Sequence, residues 1–341
     1  MFDLNKITRE NISALKPYSS ARSEYKGDAK IWLDANENPF ESGLNRYPDP
    51  FQLDLKKVVS DIKNVPVKNI FIGNGSDEAI DLLFRAFCEP SASKAFIFTP
   101  TYGMYAVNAA INNIELVSMS LKDDFELPDL QTITPIIKKN TGLLFICSPN
   151  NPTGNSYTHQ QIEAISSTFS GIVVVDEAYI DFSTHASTIA LLSNIPNLVV
   201  LQTLSKAYGL AGARIGMAFA NPDIIAILNK IKPPYNINTL SIKAALETLK
   251  KTTQYEGQKI ALLAEKSRFK TAIEESPLVE HIYPSDANFL LIKFKNAGTI
   301  YHLLLNEGIV VRDRTKEIEN CLRITIGTKE ENNQLINLLI Q

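Results

Sequence analysis

Cysteine and histidine are scarce in this 341-residue chain, and neither gathers into a site. The three cysteines, Cys88, Cys147 and Cys321, lie far apart and lack CxxC spacing. That excludes a disulfide framework and a cysteine-based zinc site. Each has apolar neighbours and reads as a plain buried thiol. The four histidines, His159, His185, His281 and His302, fall outside every motif described below. A Ser-His-Asp relay or a histidine–metal centre therefore has nothing to rest on, and no metal is expected. Charge of one sign is also missing. A net charge of −3 offers no electrostatic basis for binding nucleic acid or an anionic membrane. No apolar run approaches the roughly 18–20 residues that a bilayer crossing needs. The N-terminal stretch has scattered charges and no long apolar segment, so it does not read as a secretory signal, and the cytoplasm is the expected compartment. Internal repeats and low-complexity linkers are lacking too.

What is present is an alternation. Short apolar runs at 95–99, 143–147, 172–175, 198–203 and 217–220 are apolar on both faces, as strands of a mostly parallel sheet covered by helices must be. Stretches 77–88 and 159–169 between them carry helical periodicity. The fold class is α/β. Pro233 and Pro234 end any helix reaching them. Beyond them, 240 to about 271 reads as one or two long helices, followed by strands at 289–294 and 321–326 flanking a helix at 299–306. The expected organisation is an N-terminal arm (1–30), a large domain (31–235) and a smaller α+β domain (236–341) that packs with the N-terminal segment.

Five segments carry candidate chemistry. In the first, Lys206 follows an apolar run and sits among small residues and glycines, with Ser205 before it, Gly209 and Gly212 after it, and Arg214 eight positions on. A lysine so placed can form a Schiff base with an aldehyde cofactor whose phosphate the arginine holds. In the second, Ile172-Val173-Val174-Val175 runs straight into Asp176, at the sheet edge where ligands of parallel sheets bind. An acid there either caps a helix or pairs with a protonated pyridine nitrogen. Tyr179, three residues on, can hydrogen-bond a ring hydroxyl. The third is the turn Asn150-Asn151-Pro152-Thr153-Gly154, whose Asn151 amide can donate to the same ring oxygen. The fourth, Gly73-Asn74-Gly75-Ser76-Asp77, opens a helix whose exposed N–H groups suit a phosphate, although Gly and Ser also serve there as simple caps. In the fifth, Tyr102 follows a strand and either stacks on a planar ring or packs in the core.

In this order the segments resemble the fold-type I pyridoxal-phosphate enzymes, the aspartate aminotransferase superfamily. The likeness spans roughly residues 30–330. Within that superfamily Trp32-Leu33-Asp34-Ala35-Asn36-Glu37-Asn38-Pro39, Asn45-Arg46-Tyr47-Pro48-Asp49 and Cys321-Leu322-Arg323-Ile324-Thr325-Ile326-Gly327 look most like the histidinol-phosphate aminotransferase family. The resemblance implies a large domain with a mostly parallel seven-stranded sheet, a smaller α+β domain, and pyridoxal 5′-phosphate as cofactor. It implies that Lys206 is the catalytic lysine and carries the cofactor, that Asp176 pairs with the ring nitrogen, that Tyr179 and Asn151 bind the ring hydroxyl, and that Tyr102 stacks. Ser76, Asp77 (through its backbone N–H), Ser205 and Arg214 would surround the phosphate. Tyr47 would reach the phosphate of a neighbouring subunit, making a homodimer with shared active sites the minimal unit. Arg323 and Arg312 would meet the phosphate of histidinol phosphate and the carboxylates of glutamate or 2-oxoglutarate; Tyr18, Asn36 and Glu37 would lie at the substrate, with simple packing the alternative for Tyr18. Asn38 stands where relatives often carry an aromatic residue, which leaves the contacts near Glu37 open.

Sister readings on the same fold are an aromatic-amino-acid aminotransferase and a threonine-phosphate decarboxylase. A binding protein with vestigial chemistry would be expected to lack Lys206 or Asp176, and both are present. A dinucleotide-binding dehydrogenase needs GxGxxG after its first strand, and Gly73-Asn74-Gly75-Ser76-Asp77-Glu78 breaks that pattern.

Overall fold

The computed structural model describes residues 2–19, 21–25, 27, 29–138 and 142–340. Its large sheet has seven strands: β1 (Ile70–Asn74), β2 (Lys94–Thr99), β3 (Glu115–Ser120), β4 (Leu143–Cys147), β5 (Ile172–Asp176), β6 (Leu198–Thr203) and β7 (Ile215–Ala220). They run in the order β1-β7-β6-β5-β4-β2-β3. Pairs from β3 through β6 are parallel, whereas β7 is antiparallel to both β6 and β1. Every residue of β4, β5 and β6 is buried. Their alternating side chains feed two apolar layers. Leu144, Val173, Val175 and Val200 face one, and Phe145, Val174, Val199 and Leu201 face the other. Each fully buried Val, Leu, Ile or Phe is worth about 1.5–3 kcal/mol, so these strands anchor the domain.

Register then places the chemistry. Cys147 pairs with Asp176, so the ends of β4 and β5 are level. Because β7 runs backwards, its first residue, Ile215, pairs with Asn74, the last of β1. The start of helix Ser76–Phe87 and the Arg214 turn thereby join Asp176 at one sheet edge.

Four further strands, β8 (Val279–Ile282), β9 (Phe289–Phe294), β10 (Arg312–Asp313) and β11 (Cys321–Thr325), form an antiparallel sheet in the order β10-β11-β9-β8. One face packs Leu290, Ile292, Phe294, Leu322 and Ile324 against Phe269, Ile273, Leu304 and Leu335 of helices Thr252–Glu274, Ala297–Asn306 and Lys329–Leu339. The other face turns Phe289 and Arg323 toward the large domain, where they meet Tyr179 and Asn151.

Helix Thr239–Leu249 lies past the Pro233-Pro234 break, yet it buries Ala245 and Leu249 in the large core beside Leu55 and Val59. Helix Pro222–Ile231 ends just before these prolines. Residues 2–13 make contacts with the large domain. Ile7 enters the large core, Arg9 N–H donates to the Ala86 carbonyl at 3.0 Å, and Lys230 Nζ to the Ser13 carbonyl at 2.8 Å. Among the described residues no helix is long and apolar enough to cross a membrane.

Candidate active site

The sheet edge opens into a cavity lined by Ser76, Asp77, Tyr102, Asn151, Asp176, Tyr179, Ser205, Lys206 and Arg214, together with Gly75, Cys147, Ala178 and Thr203. All the expected cofactor-binding residues except Tyr47 meet there.

At the closed end, Asp176 is 3% exposed. Burial raises its carboxyl to about 6, while hydrogen bonds from Tyr105 Oη (2.8 Å, to Oδ2) and the Ala178 N–H (3.1 Å, to Oδ1) pull the other way. Lys206 leaves β6 through a tight turn: the Gly209 N–H donates to the Lys206 carbonyl at 3.1 Å and the Leu210 N–H to the Leu204 carbonyl at 3.0 Å. Gly209 has φ +67°, so this turn needs a glycine; Gly212 has no such requirement. The Lys206 ammonium lies 5.5 Å from the Tyr179 ring centre. Burial lowers its pKa, and the positive charge of Arg323 adds to the effect. The amine is thus nearer its nucleophilic, neutral form than a surface lysine.

The opposite end is built for an anion. Helix Ser76–Phe87 starts from Gly75 with no side-chain cap, leaving its first N–H groups open. Arg214, at φ 55°, accepts the Gly75 N–H on its carbonyl at 2.8 Å and sends Nη2 to Asp77 Oδ2 at 3.4 Å. The other Asp77 oxygen accepts the Tyr102 hydroxyl at 3.1 Å. Ser205 Oγ is buried with no partner among the described residues. An uncapped helix, a guanidinium and an unspent hydroxyl converge, as a phosphate requires. Gly216 makes the convergence possible, since a Cβ there would sit 2.0 Å from Ser76 N and 2.2 Å from Gly75 C. Both are backbone atoms, so β7 would have to retreat. Gly216→Ala is expected to destabilise the fold by about 3 kcal/mol and to weaken cofactor retention. Denaturant midpoints with and without cofactor check this, and an unchanged midpoint refutes it.

Tyr105 is a member the sequence did not single out. It is fully buried, stacks on Phe145 at 4.4 Å and fixes Asp176. Its one available signal was position, a turn of helix after Tyr102. Asn151, 5% exposed, accepts Arg323 Nη1 on Oδ1 at 2.5 Å, tying the small sheet to the cavity. Arg312 pairs with Arg323 across β10 and β11 and is exposed.

The remaining expected residues lie outside this cavity. Asn36, Glu37 and Tyr47 line a separate hollow with Tyr235 and Asn238. Tyr47 stacks on Tyr235 at 4.4 Å. The buried Glu37 carboxylate accepts Arg22 Nη2 (2.5 Å), Arg46 Nη1 (2.7 Å) and the Tyr47 N–H (2.7 Å), and despite burial these hold its pKa down at about 2. Tyr18 is 71% exposed.

Residues 21–339 match the family model "Aminotransferase class I and II". A histidinol-phosphate aminotransferase from Parabacteroides distasonis is 50% identical over 341 residues, covering 99% of both chains. One from Christiangramia forsetii is 51% identical, covering 98% of this chain and 97% of its own. The crystal structure of histidinol-phosphate aminotransferase from Sinorhizobium meliloti in complex with pyridoxal-5′-phosphate has the same fold, with a TM-score of 0.79, 24% identity, and coverage of 86% of this chain and 82% of that one. With this likeness running almost end to end, the chain belongs to the class I and II aminotransferases, and within them to the histidinol-phosphate aminotransferase family.

Proposed function

We propose that the chain acts in the cytoplasm as a homodimer that transfers the amino group of L-histidinol phosphate to 2-oxoglutarate, yielding imidazole-acetol phosphate and L-glutamate in histidine biosynthesis. Pyridoxal 5′-phosphate is the cofactor. The observation that carries the reading is one cavity with a buried acid, a lysine of lowered pKa, an uncapped helix start and Asn151, which an arginine of the small sheet holds from outside.

Ser76, the Asp77 N–H, Ser205 and Arg214 hold the phosphate, and Ser205 supplies the hydroxyl left unpaired in the protein alone. Asp176 would pair with the ring nitrogen, Tyr179 and Asn151 would bind the ring hydroxyl, and Tyr102 would stack on the ring. Once bound, the cofactor supplies an aldehyde for Lys206 and a ring that withdraws electrons from the substrate's Cα. Lys206 Nζ then takes the Cα proton as general base and returns a proton as general acid. Its lowered pKa suits both roles. Arg323 and Arg312 hold the substrate's phosphate or, in the second half-reaction, a carboxylate.

Tyr47 serves the neighbouring subunit's site, and Asn36 and Glu37 lie toward the substrate. Support for a second copy comes from apolar exposure near their hollow, where Leu33 is 87% exposed, Phe40 79% and Leu240 60%.

Steady-state comparison of histidinol phosphate, phenylalanine and threonine phosphate tests the substrate. Histidinol phosphate is expected to lead phenylalanine in kcat/KM by at least about tenfold, because a guanidinium site left without its phosphate keeps desolvated donors unpaired. A higher kcat/KM for phenylalanine would make the reading wrong.

A further inference from the structure

Three arginines share one face of the small sheet, and they are not equally partnered. Arg312 and Arg323 are cross-strand neighbours in the β10–β11 register. Side chains alternate along a strand, so Arg314, two residues past Arg312, emerges on the same face. Its N–H donates to the Cys321 carbonyl at 3.1 Å, continuing the ladder past β10 and setting Arg314 diagonal to Arg323. Arg312 is exposed, but the Arg314 side chain is only 13% exposed. Arg314 Nη1 donates to Glu317 at 3.2 and 3.3 Å, and that carboxylate is half in solvent. The Nε groups of both Arg314 and Arg323 are buried and have no partner among the described residues.

A buried N–H left unpaired costs about 1–3 kcal/mol, and such groups need a reason to exist. Two of them, on diagonal guanidinium groups beside the cavity, point to an anion larger than one fork can satisfy. The field agrees. Burial lowers the Arg323 pKa, and among the arginines Arg314 pushes on it harder than Arg312 does.

We propose that Arg314 determines specificity: together with Arg323 it takes a dianionic phosphate monoester, and it is dispensable for a carboxylate. A carboxylate has one charge and two in-plane oxygens, which a single guanidinium fork satisfies. A phosphate monoester has two charges and three terminal oxygens, and it calls on a second fork. Glu317 holds Arg314 in place without neutralising it fully, since the pair is partly in water.

The inference rests on the reading that the substrate carries phosphate, so its test does not use that substrate. In the holoenzyme, inorganic phosphate is titrated as a competitor of glutamate in the glutamate half-reaction. Arg314→Gln is expected to raise the phosphate inhibition constant about tenfold or more, while glutamate kcat and KM stay within about threefold. Glu317→Gln, which frees Arg314, is expected to lower that constant by about threefold, a gain no folding defect produces. The inference is overturned if phosphate fails to compete in the unaltered enzyme, if Arg314→Gln shifts its constant less than about twofold, or if glutamate KM rises in parallel. Turnover of histidinol phosphate, measured alongside, judges the functional reading separately.

Discussion

Lys206→Ala is expected to lower turnover by about 10⁴-fold or more and to remove the visible absorbance of lysine-bound cofactor. Two separate losses combine. A positioned general base contributes about 10²–10⁴-fold, and in the proposed reading the amine would also be the covalent attachment point. Among the described residues no other lysine lines the cavity, so no neighbour takes over. The fold should survive, because the turn is held by backbone hydrogen bonds through the Lys206 and Leu204 carbonyls rather than by the lysine side chain. Removing a partly buried cation that Arg323 repels carries little stability cost. Melting of the cofactor-free variant should therefore stay close to that of the unaltered protein. Lys206→Arg separates charge from chemistry: it keeps a cation but has no amine to deprotonate, and it should be as inactive as the alanine variant. Absorption spectra with borohydride reduction check both variants. A reducible chromophore on another lysine would refute the assignment.

The strands that build the cavity were the most legible part of the chain. Runs such as Ile172–Asp176 are apolar on both faces because helices cover both sides of the sheet, and that pattern survives in sequence. Two strands of the large sheet were not legible. β3 lies at the sheet edge, where only one of its six residues is buried, so Glu115, Ser118 and Ser120 hide it. β1 is a short run before Gly75, and its glycine and asparagine read as part of the phosphate loop. The direction of β7 was also hidden, since an apolar run looks the same parallel or antiparallel. In the cavity, residues at strand ends were found because each follows a run that announces it. Tyr105 was not, since a buried tyrosine on a helix resembles any core aromatic until its hydroxyl is seen to reach Asp176. Arg314 escaped for a related reason: its standing depends on register with Cys321 and on an unpaired Nε, and neither is written in a local motif. The Arg22–Glu37–Arg46 cluster joins residues 9 and 15 positions apart, with spacing set by an irregular arm rather than a helix or strand.

Asp176→Asn should separate activity from stability by moving them in opposite directions. In the proposed reading the carboxylate would pair with the cofactor's ring nitrogen, and its charge would keep a proton there. An amide of the same shape retains the contact but not the charge, so kcat is expected to fall by about 10²–10³-fold, the size of losing one electrostatic stabiliser in a closed site. Cofactor affinity should fall much less, since Lys206, Arg214, Ser205 and the open helix start are untouched. Without cofactor the same carboxylate is a burden. Burial raises it from 3.8 in its ordinary state to about 6, so between those values the folded protein holds a proton that the unfolded chain has released. Its contribution is therefore fully present below about pH 4 and is lost as pH rises through about 6, a swing of roughly 3 kcal/mol. Asparagine does not titrate, and its amide can still meet Tyr105 and Ala178. The cofactor-free variant should thus melt higher than the unaltered protein at pH 7.5, with the difference shrinking toward pH 4. Thermal scans across that range, paired with half-reaction rates for the loaded enzyme, decide both parts. An unchanged kcat would remove Asp176 from the chemistry, and a pH-independent melting difference would mean that its burial costs the protein nothing.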